Sequence, residues 1–239
     1  MPYILYLETA TCICSVAVAE NDNLISIRET SVANSHSSIL TLFAEEALKS
    51  ANIGFKDIDA ICVSKGPGSY TGLRIGASTA KGFCYALNIP LIAVNTLQSM
   101  AKFYSIMHPE KSDKKTLLCP MIDARRMEVY SAFFNKDINF VRETAADIID
   151  ENSYSEILLK NKVIFFGDGA GKCRKILSHH SNAIFSDEAC VSAQGMIPFA
   201  WQKYQNKEFE NVAYFEPYYL KDFIATKPKN LCNYLGIGK

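Results

Sequence analysis

Tyr3-Ile4-Leu5-Tyr6-Leu7-Glu8, then Thr9-Ala10-Thr11-Cys12, then Ile13-Cys14-Ser15-Val16-Ala17-Val18-Ala19-Glu20 is the stretch from which the rest of the chain can be parsed. Two apolar runs of strand length flank a short turn of small residues, and the first run ends on a carboxylate. Outward from it, Asn21-Asp22-Asn23 supplies the turn of a hairpin into a third strand over 23–29. Ile39, Phe43 and Ala47, with Leu40, Ala44 and Leu48, recur at helical spacing and predict a helix over 37–51, ended by Asn52-Ile53-Gly54. A strand over 60–64 runs into Gly66-Pro67-Gly68-Ser69-Tyr70, and helices over 71–87 and 96–107 bracket a short strand at 90–94.

Residues 108–115 are polar and break the pattern, as a hinge between halves would. Beyond them the same grammar returns: strands over 117–123, 127–135 and 138–142, a helix over 153–160, a strand over 162–166, and Gly167-Asp168-Gly169-Ala170-Gly171 leading into another helix. A last helix is expected over 192–205. Glu8 and Asp123 each end a first strand before a turn, and Gly66-Pro67-Gly68 and Gly167-Asp168-Gly169 each follow a strand and open a helix. The halves share order rather than residues. An acidic hairpin followed by a glycine loop, twice, predicts an α/β fold: two duplicated actin-like (ASKHA, ribonuclease H-like) lobes with mixed sheets flanked by helices. The first lobe is expected over 1–107 and the second over 108–239, the C-terminal segment being available to pack back on the first lobe.

Composition narrows the function classes. The 239 residues carry 25 Lys plus Arg against 25 Asp plus Glu, which argues against holding nucleic acid by bulk charge. At 49% hydrophobic residues the chain is globular rather than disordered, and no apolar run reaches the roughly 20 residues of a membrane span. Met1-Pro2-Tyr3 lacks the cationic start of a secretory leader. Of the eight cysteines, Cys12, Cys62, Cys84 and Cys119 fall in apolar segments with no CxxC pair, as reduced structural thiols of a cytoplasmic protein do.

The chemical motifs are sparse. Gly66-Pro67-Gly68-Ser69-Tyr70-Thr71-Gly72 has the glycines and the helix start of an anion cradle, yet Leu73-Arg74 stand where a P-loop needs Lys and Ser or Thr. The same stretch reads equally as a tight strand-to-helix turn. Actin-like ATPases carry Asp-x-Gly-Thr on the first hairpin, and here the matching residues are Glu8-Thr9-Ala10-Thr11. The longer acid and the added Cβ weaken the case for ATP turnover. Candidate nucleotide or anion contacts are Glu8, Thr11, Gly66, Gly68, Ser69 and Asp123, with Asp123 facing the same cleft as Glu8. His36 is followed by Leu40 where a helical metal pair needs a second His, and the remaining histidines show no ligand spacing, so no metal site and no catalytic residue is nominated.

The two long first-half helices carry an apolar or small arc wider than the ~100° that a helix lying on its own sheet needs. Either they are sandwiched within the lobe or they face another chain. We read the second, with Leu40, Phe43, Ala44, Ala47, Leu73, Gly76, Ala77 and Ala80 as the contact set.

Ser64-Lys65-Gly66-Pro67-Gly68-Ser69-Tyr70-Thr71-Gly72-Leu73-Arg74-Ile75-Gly76 closely resembles the signature of the bacterial TsaB (YeaZ) family. Asp123-Ala124-Arg125-Arg126-Met127-Glu128-Val129-Tyr130 and Pro217-Tyr218-Tyr219-Leu220-Lys221 are similar to that family's second and third landmarks. The resemblance implies a role in making N6-threonylcarbamoyladenosine at position 37 of tRNA. TsaD transfers the group, TsaE supports the cycle, and the TsaB type is the non-catalytic subunit that binds and stabilises TsaD. It implies a homodimer when the chain is alone and a heterodimer with TsaD, both through first-lobe helices. tRNA would be met only through the complex, and no membrane is involved. No cofactor is required, ATP or ADP with Mg being placed at the partner interface. The paralogue's metal histidines fall near His36, with Leu40 in place of the second. The alternative is a small-molecule kinase or ATPase acting in the inter-lobe cleft. The tail over 227–239 matches nothing in the family; it reads as a solvated end or a tRNA contact.

Overall fold

The structure, a computed structural model, describes residues 1–32, 36–109, 115–188 and 190–221. Strands β1 (Tyr3–Glu8), β2 (Cys14–Glu20) and β3 (Asn23–Thr30) form an antiparallel meander. Asn21, at φ +56°, takes the left-handed position in the turn between β2 and β3. Helix α1 (His36–Ser50) follows, then β4 (Ile58–Gly66), α2 (Tyr70–Leu87), β5 (Leu91–Asn95) and α3 (Thr96–Met107). β4 pairs parallel to β1 and β5 parallel to β4, giving the order β3-β2-β1-β4-β5.

The second sheet repeats this plan. β6 (Thr116–Asp123), β7 (Glu128–Phe134) and β8 (Phe140–Ile148) are antiparallel, and β9 (Lys162–Phe166) and β10 (Ala183–Phe185) add in parallel beside β6. Read from its far edge, the order β8-β7-β6-β9-β10 is that of the first sheet, strand for strand. The fold is α/β, two duplicated actin-like lobes with mixed sheets flanked by helices. Several bounds shift from expectation. Ile138 sits at φ +61° in a turn, so β8 begins later and runs longer. Helix α4 is a single turn (Ser155–Leu158), α5 covers Ala170–Leu177, and β10 has no sequence counterpart in the reading above. The last helix divides into a 3-10 turn, Ala193–Met196, capped by Ser192, and α6 (Ile197–Asn206) with Pro198 in its first turn.

The central strands β1 and β6, and β2 beside β1, are buried on both faces along nearly their whole length, which is why they read as unbroken apolar runs. Leu5, Leu7, Val16, Val18, Ile61 and Val63 pack under α1 and α2, while their neighbours Ile4, Tyr6, Ala17, Ala19, Ala60 and Cys62 pack under Met196, Ile197 and Ala200. In the second sheet Leu118, Ile122, Ala132 and Phe134 face Leu97, Met100, Ala101 and Tyr104 of α3, and Cys119, Met121, Phe133 and Phe165 face α4 and α5. The covers are thus exchanged: α3, which leaves the first sheet, roofs the second, and α6, which follows the second sheet, roofs the first.

This arrangement corrects the width argument for the partner set. Leu40, Ala44, Ala47, Leu73, Ala77 and Ala80 are all 6% exposed or less, and Gly76 is buried; of the set only Phe43 keeps part of its surface. α1 and α2 lie side by side on one face of a five-stranded sheet and touch each other, so each spends one flank on the sheet and the next on its neighbour. A wide apolar arc is consumed inside the lobe.

After α6 the chain returns across the first lobe as a strap. Glu210 N–H donates to the Leu91 carbonyl (2.8 Å), Lys81 Nζ donates to the carbonyls of Ala213 (3.0 Å) and Phe215 (3.3 Å), and Tyr218 N–H donates to the Lys65 carbonyl (2.6 Å). The strap reaches the second lobe through an ion pair of Lys221 with Glu128. The tail over 227–239 lies outside the described residues, as do 110–114 of the hinge.

Candidate functional site

The strand ends of the two lobes and the start of α2 enclose a cleft of about 750 Å3. Residues 10–12 and 67–73 line it from the first lobe, 122–125 from the second, and 218–221 from the strap. Of the sequence-nominated contacts, Thr11, Gly68, Ser69 and Asp123 line this cleft, whereas Glu8 and Gly66 lie behind its wall.

Glu8 is 1% exposed. Its Oε1 accepts from Ala10 N–H (2.7 Å) and from the Ser64 hydroxyl (2.8 Å). Burial pushes its carboxyl up to about 7, against the opposing pull of those donors. The extra methylene lets this acid fold back under its own turn instead of reaching the cleft, so the expectation that Glu8 and Asp123 share one cavity does not hold.

The glycine loop is spent on packing. Ser69 N–H donates to the Ala10 carbonyl (2.7 Å), and the Thr9 hydroxyl donates to the Gly72 carbonyl (2.8 Å). A Cβ at Gly72 would stand 2.1 Å from the Thr9 carbonyl oxygen, and one at Gly68 2.3 Å from that of Ala10. The hairpin turn therefore packs directly against the glycine side of the loop that opens α2. Ser69 caps α2 by accepting from Gly72 N–H (3.3 Å). Gly66, at φ +109°, lies against the Tyr218 carbonyl, where the strap crosses β4.

On the second lobe Asp123 is half-exposed and held from two sides: Lys172 Nζ forms an ion pair with Oδ1, and Arg125 N–H donates to the same oxygen (2.8 Å). Burial raises its carboxyl, but Lys172 and the turn amide outweigh that and leave it below the usual carboxylate range. Lys172 also donates to the carbonyls of Arg126 (2.8 Å) and Glu128 (2.7 Å), so one ammonium closes the whole hairpin, in which Arg125 and Arg126 both take positive φ. Gly169 N–H donates to the Met121 carbonyl (3.0 Å), the second lobe's counterpart of the Ser69 contact.

The remaining walls are aromatic and basic. Tyr70 and Tyr219 meet in a tilted pair with centroids 5.1 Å apart, and the Arg74 guanidinium lies 4.9 Å from the Tyr70 ring. His36 is 9% exposed and its Nε2 has no hydrogen-bond partner among the described residues. Among the described residues no three His, Cys, Asp or Glu side chains converge to hold a metal ion. One hairpin acid is walled in, the other is neutralised by a lysine, and the glycine spaces are filled. These residues do not fit a magnesium nucleotide held by this chain alone. Glu128 and Lys221 lie in quoted stretches of the sequence, but the pairings Lys172–Asp123 and Lys221–Glu128 had no sequence signal, since long-range ion pairs leave no local pattern. Cys12, expected in an apolar segment, is exposed in the cleft wall, while the other described cysteines are buried free thiols.

The model of the family described as TsaD, tRNA N6-adenosine threonylcarbamoyltransferase, matches residues 27–229, which includes the glycine loop, the Asp123 hairpin and the strap. The chain belongs to this family. Within it the chain is of the TsaB (YeaZ) type. It is 29% identical over 230 residues to the tRNA threonylcarbamoyladenosine biosynthesis protein TsaB of Escherichia coli K12, covering 94% of this chain and 96% of that one. It is 27% identical over 237 residues to the TsaB of Haemophilus influenzae, covering 94% and 95%. In fold it matches YeaZ from Pseudomonas aeruginosa with a TM-score of 0.73 at 21% identity, covering 92% of this chain and 100% of that chain. In this member of the TsaD family the acid of the first hairpin is buried and that of the second is tethered by Lys172. Among the described residues no helix is long and apolar enough to cross a membrane.

Proposed function

We propose that this chain is a non-catalytic subunit in the synthesis of N6-threonylcarbamoyladenosine on tRNA, which binds and stabilises TsaD. The observation that carries the reading is the first hairpin: Glu8 is turned into the core and Gly72 is pressed against Thr9, so this hairpin offers the cleft no carboxylate. The names of its TsaB relatives support the pathway. The contact surface we propose is the outer side of the α1–α2 pair, where Ile39, Phe43, Ile75 and Phe83 remain half-buried and Leu42 is 48% exposed. Alone, the chain pairs with itself through the same side. On this reading ATP or ADP with Mg sits at the joint with TsaD, TsaE joins the assembled complex, and tRNA is met through that complex in the cytoplasm.

The test is reconstitution with TsaD from the same organism. Supplied with threonylcarbamoyl-adenylate, which gives up AMP on transfer, and ATP, TsaD, TsaE and this chain together should form modified tRNA, with at least a tenfold drop when this chain is omitted. Glu8→Gln in this chain should leave that activity unchanged. ATP hydrolysis by the isolated chain that vanishes with Glu8→Gln would overturn the reading in favour of an enzyme of the cleft.

A further inference from the structure

Behind the strap lies a second inter-lobe cavity of about 460 Å3. Tyr218 lines both cavities. The second is built from the ends of β4 and β5, the first turn of α3, one edge strand of the other lobe and α6, so neither lobe forms it alone.

Its chemistry is of three kinds. Phe140 and Phe199 supply aromatic walls held in place by the core: Phe140 lies 4.6 Å from Phe134, and Phe199 packs against the cores of both lobes. Lys65 and Lys203 supply two cations. Lys203 Nζ spends one donor on the Ala93 carbonyl (2.9 Å), and Lys65 Nζ has no partner among the described residues. Asn95, Gln98 and Thr144 supply amide and hydroxyl groups, fixed by Asn95 Nδ2 donating to Thr144 Oγ1 (3.1 Å) and Asn95 Oδ1 accepting from Gln98 N–H (3.1 Å). Among the described residues the exposed Glu143 is the single acid of the lining, against two lysines.

We propose that this cavity binds a nucleoside monophosphate unit, free or as one residue of a single strand. The base stacks against Phe140 and Phe199, the phosphate lies between Lys65 and Lys203, and the amide groups meet the base edge. The volume falls within the range of small-ligand sites. A bare inorganic anion would leave the aromatic walls unused, and a neutral ring would leave the two lysines unused. The inference stands apart from the partner reading, since it needs neither TsaD nor the α1–α2 surface.

Calorimetric titration of the full chain with AMP, adenosine, inorganic phosphate and the tetranucleotide ApApApA tests it. AMP should bind, with adenosine and phosphate each about tenfold weaker or more. Lys65→Glu should weaken AMP at least about tenfold, and Glu143→Gln should tighten it about two- to fivefold. Glu143 is exposed and Lys65 is partly exposed with no side-chain partner among the described residues, so thermal unfolding should change little. A tetranucleotide much tighter than AMP identifies a strand as the ligand, and equal affinities identify the free nucleotide; either supports the site. No binding of AMP or tetranucleotide at millimolar concentration overturns it. So does AMP binding that survives Lys65→Glu but is lost in Arg125→Glu, which lies in the other cleft.

Discussion

Glu8 shows how one added methylene redirects a side chain. Its carboxyl, raised from near 4.5 to about 7 by burial, binds a proton in the folded state that the unfolded chain has already released. Between those values the folded state holds more protons, so stability falls as pH rises, by about 1.4 kcal/mol per pH unit from this group. Below ~4.5 both states are protonated and the loss is absent. Glu8→Gln keeps an acceptor for Ala10 N–H and Ser64 while removing the ionisation. Denaturant unfolding measured from pH 5 to pH 7.5 should therefore show the difference between variant and parent growing in the variant's favour with pH. A constant difference would mean that Glu8 does not titrate in this window.

At the scale of elements, two of the three glycines of α2 have opposite duties. Gly72 is where the helix touches the Thr9 carbonyl, and Gly82 has open space around its Cα. Gly72→Ala should cost more than about 2 kcal/mol because backbone must move, whereas Gly82→Ala should gain about 0.5–1 kcal/mol from helix propensity. Thermal melts of the two variants check both signs. The elements themselves were legible, since hydrophobic period and turn residues gave the order of strands and helices and the repeat of the acidic hairpin. What period cannot reveal is what covers an apolar face. Leu40, Ala44, Ala47, Leu73 and Ala80 read as an excess for that reason, and two helices sharing one sheet absorb it. The site was half legible: Gly68, Ser69, Thr11 and Asp123 reach the cleft, but the inward fold of Glu8 and the Lys172 clasp depend on side-chain direction and on contacts far apart in sequence.

For the molecule as a whole, surface and core variants of α1 and α2 should part company. Phe43→Glu alters a half-buried side chain and should weaken association with TsaD at least tenfold while the monomer stays folded. Ala80→Arg buries a charge at a site that is 0% exposed and should unfold the first lobe before any partner is consulted. Circular dichroism beside a pull-down separates the two outcomes; equal TsaD binding by the Phe43 variant and the parent would remove this side as the docking face. The exchanged roofs, α3 over the second sheet and α6 over the first, bear on ancestry. A forebear with a single lobe would have had one sheet face bare and one helix reaching away from it, and two such molecules could have closed only by trading that helix. Fusion of the pair would then turn a reciprocal trade between twins into the wiring of one chain.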